Sequence, residues 1–545
     1  MRRTWMLVAG LIGLSPFALA SKTLVVALPP ATKITYLQPL APGDVYTFYD
    51  SQASLLLYRP LLWIDRNIQI DYARSIASSV RSQDGKHYLV TLHRRWRWSD
   101  GKPVTAQDVA FALDLLRSVP ASNVAADANW GIGGMPQDIR SVKVLGEWKL
   151  EITLNGRYNT KWFLYNGLAQ IVPLPQQAWD RYPGQPAKTL AYLQREGDNL
   201  NFFRGSPVDG PFRVGRFRAG QSYRFLANPE YAGRKPDYQQ LELAYFTNSD
   251  AEFNALRAGE VQVGYLPAHL YGQQGSLPSY RLIAAPQWSV NYLYLNFKAS
   301  GPGKALRLAA VRQALQMAVD QPAILRVILH GQGNLAYGPV PYRPSTYLSP
   351  YLLTHVPYPY DPAAGRRLLE KAGFRGRGGV MQRGRLSLRF TLQYASGIQS
   401  IQLQDELIAA AAAREGIRIQ LKPVPFDTLL GELGSPKGWS MVDYGGWSYQ
   451  PDFYPTSYGL FGSKGGSNLS GYADPAVDRL AEATHRFGSP AQEQGALNRY
   501  QNALAEKLPV IWLPASAQLN EVSEAVSGFH YNPTGNWSPE RWQLR

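Results

Sequence analysis

Tyr88, Val90 and Leu92 alternate with their neighbours, the two-residue period of a strand with one buried face. Asp84-Gly85 precedes this strand, and Asp100-Gly101 follows a second short strand at 96–98. Asp-Gly tolerates the positive φ of tight turns, so the pair predicts a small antiparallel meander. Thr105 with Asp108 three residues on makes a capping box, and the aspartate suits a helix N-terminus. Val109, Leu113 and Leu116 then recur on one helical face.

The same reading along the chain predicts a strand at 22–28 and a helix running into a strand over 51–65, broken near Arg59-Pro60. Strand, turn, strand, loop and strand follow over 208–246. A helix closed at Gly259 leads to a strand over 251–267, and 291–297 is a compact strand. Residues 309–333 are helical with a break at Pro322, and 361–374 form a capped helix ending at Gly373. Strand, helix and strand over 386–426 complete an α/β pattern without fixed-period repeats. A chain of 545 residues exceeds one core and predicts two or three domains.

The first twenty residues break the pattern. Arg2 and Arg3 precede an apolar run at 5–14, and Ala18-Leu19-Ala20 is a small-x-small cleavage signal. This predicts a secretory signal peptide over 1–20, with Ser21 as the first mature residue. About ten apolar residues are too few to span a bilayer, and no later run is long enough. There is no cysteine, which excludes disulfides, thiol catalysis, zinc–thiolate sites and a lipid anchor on a cleavage-site cysteine. The expected location is therefore the periplasm of a two-membrane bacterium, or free secretion, without a membrane anchor. The formal charge of +16, less the two leader arginines, leaves +14. Export and the interleaving of acids argue against nucleic acid as the partner.

No catalytic motif emerges. None of the seven histidines is spaced like a metal pair, and there is neither a nucleophile elbow nor a phosphate loop. No metal, cofactor or reaction is expected. The 33 tyrosines and 14 tryptophans are the distinctive feature. Most belong to cores, but two groups sit in Gly/Pro-rich loops: Tyr46, Phe48 and Tyr49, and Trp447, Tyr449, Phe453 and Tyr454. The second group precedes a long Gly/Ser loop and suits the wall of a ligand cleft.

The stretch WRWSDGKPVTAQDVAFALDLL (96–116) resembles the signature of the family 5 bacterial extracellular solute-binding proteins, the oligopeptide- and dipeptide-binding group. DGPFRVGRF, ALRAGEVQVG, AAVRQALQMAVDQPAIL, AYGPVP, YDPAAGRRLLEKAGF, NLSGYADPAVDRL and LPVIWLP follow in family order. The resemblance implies a two-lobed α/β clamp of the periplasmic binding-protein type, class II, with an extra small inserted domain and a hinge between lobes. Lobe one is expected at 21–48, 167–288 and 512–545, the insert at 49–166 and lobe two at 289–511. Hinge strands are expected near 286–297 and 505–516.

The resemblance also implies a function: capture of a small solute, an oligopeptide or dipeptide, by hinge closure, and its delivery to an inner-membrane ABC permease by a monomer. Main chain of Gly446, Trp447 and Ser448 would pair with the ligand backbone, and Trp447 would line a pocket. An acid three residues beyond this tryptophan holds the peptide amine in relatives; here Gln450 stands there, and Asp452 is the nearest acid. Tyr449, Tyr46, Phe48 and Asn468 complete the expected ligand-binding set. A sugar, metal chelate or opine on the same fold stays open as the ligand. So do a secreted glycan hydrolase with paired carboxylates and a sensor or chaperone-like binder.

Overall fold

The computed structural model describes residues 22–29, 34–42, 47–120, 127, 130–218, 221–535 and 537–545. The expected leader, 1–20, lies outside the described residues. Three principal sheets divide the rest.

The first sheet has seven strands. Its spatial order is Tyr280–Ala285, Gln518–Ser523, Val263–Tyr265, Thr23–Ala27, Gln240–Ala244, Ser222–Ala227 and Phe212–Arg218. Thr23–Ala27 pairs in parallel with Gln240–Ala244, Val25 opposite Glu242. N-terminal, middle and C-terminal pieces of chain thus share one sheet. The second sheet, in order Ala77–Arg81, His87–Leu92, Lys149–Leu154 and Ile139–Gly146, is wholly antiparallel and belongs to the inserted unit. The third sheet runs Arg418–Val424, Arg389–Ala395, Met441–Asp443, Ser289–Leu295 and Trp447–Ser448, with Val510–Leu513 also paired to Ser289–Leu295. Its parallel pair, Arg389–Ala395 and Arg418–Val424, is joined through the helix Gln399–Glu415, the expected strand–helix–strand unit.

The chain crosses between the first and third sheets twice, at 286–288 and 514–517. Trp512 and Leu513 remain in the third sheet, opposite Tyr292 and Asn291, so that sheet extends two residues past the expected end of lobe two.

The 96–116 stretch shows how local chemistry sets the insert. Trp96 and Trp98 do not form a strand with a neighbour; the chain closes on itself instead. Trp98 N–H donates to Lys102 O at 2.8 Å, Val104 N–H to Trp96 O at 3.0 Å, and Gly101 takes φ +85° at the tip. Both indoles go into the core, with Trp96 Nε1 donating to Ser75 O at 2.8 Å. Thr105 and Asp108 form the predicted capping box of helix Ala106–Arg117, the Thr105 N–H donating to Asp108 Oδ2 at 2.8 Å. Val109, Leu113 and Leu116 all reach the core. The strand expected after Arg59-Pro60 reduces to a single backbone bridge between Ile64 and Ile70. There the chain is held instead by Arg59, a buried guanidinium 4.0 Å from the Trp63 ring. The Arg59 N–H donates to Asp209 Oδ1 at 3.0 Å. Among the described residues no helix is long and apolar enough to cross a membrane.

Replacing Trp98 by alanine empties a fully buried indole site and is expected to cost about 3–5 kcal/mol, read from the denaturant midpoint.

Several carboxyls lie inside the protein without a cation among the described residues. Burial pushes Glu415 up to about 9, with Asp361 adding repulsion; burial also raises Glu252 to about 8 and Glu521 to about 7. Both oxygens of Glu415 and of Glu521 lack a hydrogen-bond partner among the described residues. Unfolded, these groups ionise near pH 4; folded, they keep their protons to pH 7–9. Unfolding therefore releases protons across that window, and stability falls as pH rises through it. The melting temperature is expected to be higher at pH 5 than at pH 9, by differential scanning calorimetry; Glu415→Gln flattens part of the slope.

Candidate ligand-binding cleft

A cleft of about 860 Å³ opens between the insert side of the molecule and the third sheet, within the range of ~300–1,000 Å³ usual for small-molecule sites. One wall starts from the strand Ser289–Leu295, whose side chains are mostly buried. Trp447–Ser448 pairs antiparallel to it, Trp447 opposite Val290 and Ser448 opposite Ser289.

That pairing depends on Gly446. Its φ is +93°, and a Cβ there would lie 2.1 Å from Val290 O and 2.7 Å from Asn291 Cα. Only glycine lets the chain enter the strand at this distance. Trp447–Ser448 is an outer strand of its sheet. Tyr449 N–H donates to Trp288 O at 2.9 Å, toward the inner neighbour. By strand alternation the N–H and C=O of Ser448 point the other way, along the open edge. Ser448 is exposed.

Gly446, Trp447, Ser448, Gln450 and Asp452 all line the cleft. Tyr449 does not; its side chain turns into the core and its hydroxyl donates to Pro339 O. Asn468 does not reach the wall either. Its Nδ2 donates to Gly462 O at 2.9 Å and Tyr472 O at 2.7 Å, and its Oδ1 accepts from Ser470 Oγ at 2.8 Å, which ties the Gly/Ser loop to itself. Tyr46 lies outside the described residues. Phe48 opens the helix Phe48–Leu57, whose Ser51, Ser54 and Leu55 face the cleft.

Asp452 is committed to the protein. Its carboxylate accepts from Asn166 Nδ2 and, at 2.9 Å, from Ser457 N–H. Burial pushes it up to about 7, against the lowering pull of those hydrogen bonds. Asn166 also donates to Tyr454 O at 2.8 Å and accepts from Tyr454 N–H at 2.7 Å. It therefore fastens the insert side to the loop after Trp447. A second fastening lies beside it. Asn159 Nδ2 donates to Thr484 O at 3.0 Å, and Trp162 stacks on His485 at 4.2 Å between centroids. Burial holds His485 down at about 3, so the ring is neutral. Both Trp162 and His485 line the cleft.

Sequence patterns did not single out Asn159, Trp162, Asn166 or His485. The one local signal is Asn159, whose Oδ1 caps the turn Thr160–Trp162. Two buried nitrogens of wall residues, Trp447 Nε1 and His485 Nε2, have no hydrogen-bond partner among the described residues. Among the described residues no group of three His, Cys, Asp or Glu side chains is arranged to hold a metal ion.

A clamp of two lobes around a mostly neutral, aromatic cleft now has relatives to be set against. The family model of the bacterial extracellular solute-binding proteins, family 5, matches residues 72–468. The chain belongs to this family. It is 27% identical over 558 aligned positions to a dipeptide-binding protein of Pseudomonas aeruginosa, covering 97% of this chain and 96% of that one. It is 23% identical to the oligopeptide-binding protein AppA of Bacillus subtilis, over 93% and 90% of the two chains. The solved structure of that AppA with a nonapeptide superposes with a TM-score of 0.78, over 96% of this chain and 99% of that one. NikZ of Campylobacter jejuni, solved with Ni(L-His), gives 0.77 at 20% identity, over 96% and 99%.

Gly446→Ala is expected to push Trp447–Ser448 away from Ser289–Leu295 and to destabilise the protein by about 1–3 kcal/mol. Gly445→Ala separates the causes, because its Cβ would meet nothing within 4 Å although φ is +90°. If close approach governs, the denaturant midpoint drops further for the change at 446 than for that at 445.

Proposed function

We propose that the protein captures a short peptide in the 860 Å³ cleft and hands it to an ABC permease. The observation that carries this reading is the unpaired edge of Trp447–Ser448 on the cleft wall. An extended peptide adds to such an edge through its main chain, which gives affinity without regard to side chains. Trp447 and Ser448, with Gln450 beside them, form the contact set, and the aromatic walls receive side chains. Asp452 positions the loop through Asn166 and does not contact the peptide. The peptide amine meets Gln450, which hydrogen-bonds an ammonium without neutralising it.

In this reading 21–48, 167–288 and the chain after 513 act as one body with the insert 49–166, and 289–513 as the other. The segments 286–288 and 514–517 serve as the hinge. Residues 1–20 direct export to the periplasm and are removed, no lipid anchors the product, and it works as a monomer. Binding and release suffice, with no reaction on the ligand. The names of the relatives support a peptide as the cargo.

Native mass spectrometry of residues 21–545, purified without unfolding, tests the cargo. A ladder of retained masses matching short peptides is expected. A single non-peptide mass, such as a metal chelate or sugar, overturns the peptide reading while leaving the clamp intact.

A further inference from the structure

Positive charge is not spread evenly over this molecule. Residues 361–389 hold seven arginines and one lysine against two acids, Asp361 and Glu370. They occupy the helix Pro362–Lys371 and the small sheet of Arg375–Arg377, Val380–Arg383 and Leu386–Ser387. Every residue of Arg375–Arg377 is exposed. Both acids are already engaged, Glu370 with Arg366 at 3.1 Å and Asp361 with Arg367 at 3.8 Å. Glu415, packed against Gly365 of the same helix, is pushed up to about 9 by burial and adds no negative charge at neutral pH.

The cluster extends onto the neighbouring strands. Arg389 and Arg418 stand in register on the parallel pair, and both are exposed. Like charges placed so repel, so strand pairing does not account for them. Apolar groups lie alongside. Leu403 and Leu407 are 41% and 44% exposed on the helix Gln399–Glu415, which packs on both Pro362–Lys371 and Arg418–Val424. Arg414 falls on the same helical stripe and reaches the hydroxyl of the half-exposed Tyr360 at 3.5 Å. Glu406, off that stripe, accepts from Gln402 at 2.9 Å.

We propose that this face of lobe two docks on an anionic phospholipid membrane, with the guanidinium groups on headgroup phosphates and Leu403, Leu407 and Tyr360 at the interfacial level. Clustered cations beside exposed leucines and a tyrosine are the pattern of an interfacial surface; a nucleic-acid surface has no use for the leucines. Placement fits as well. Arg418–Val424 and Trp447–Ser448 are opposite ends of the strand order in the third sheet, so contact at the basic face leaves the ligand edge open.

The test is co-sedimentation of the mature chain with vesicles of phosphatidylglycerol mixed with phosphatidylcholine, and with vesicles of phosphatidylcholine alone. Binding to the anionic vesicles is expected to be tighter by about tenfold or more and to weaken as salt rises. Arg377→Glu with Arg385→Glu, both exposed and remote from the cleft, is expected to remove about tenfold of that binding without moving the melting temperature. Should that variant lose its melting transition, Arg385→Ser with Arg418→Ser takes its place. Equal binding to both vesicles, no binding at low ionic strength, or an unaffected folded variant overturns the proposal. So does tighter, variant-sensitive binding to a DNA duplex than to the vesicles.

Discussion

The backbone pairing of Ser289–Leu295 is the constraint on which the clamp depends. This one strand takes Val510–Leu513, Met441–Asp443 and Trp447–Ser448 as antiparallel neighbours. Its first residue follows directly on one crossing between lobes, and Val510–Leu513 leads directly into the other. The two crossings and the open edge of Trp447–Ser448 are therefore anchored to the same hydrogen-bond ladder. A shift of that strand moves both, and the Gly446 contact with Val290 O leaves little room for a shift.

The opposite wall is tied to this ladder by side chains. Asn166 engages Asp452 and Tyr454, and Asn159 and Trp162 engage Thr484 and His485. These contacts join residues 159–166 to residues 452–485. Opening of the cleft must break them or carry the insert along. The buried Asn166–Asp452 and Asn159–Thr484 hydrogen bonds and the neutral His485 make this a directional fastening.

Much of the fold was legible in the sequence because local patterns encode it. The capping box at Thr105 and Asp108, the closure at Gly259 and the strand–helix–strand unit after 386 each depend on residues a few positions apart. The aromatic alternation at 96–98 predicts a strand, because it looks the same whether the partner is another strand or the chain's own turn. The site was legible in part. Gly446, Trp447 and Ser448 announce themselves through glycine, aromatic and serine in a loop. Tyr449 carries the same aromatic signal, but its side chain turns into the core and its hydroxyl donates to Pro339 O. Asn468 looked like a ligand contact, but an asparagine in a Gly/Ser loop spends its amide on the loop. The fastening residues left no local signal: Asn166 meets Tyr454 across 288 residues, and Asn159 meets Thr484 across 325. Such pairs follow only from the fold.

The central claim is that a peptide joins the edge of Trp447–Ser448 through its main chain. Amide hydrogen exchange at Ser448, followed by NMR with and without a saturating peptide, tests this most directly. The N–H of Ser448 points along the open edge in the free protein, and strand addition gives it a partner. The account predicts that exchange at Ser448 slows by about tenfold or more when peptide binds, while the amide of Tyr449, already paired to Trp288, changes far less. A peptide that binds and leaves exchange at Ser448 unchanged would contradict it.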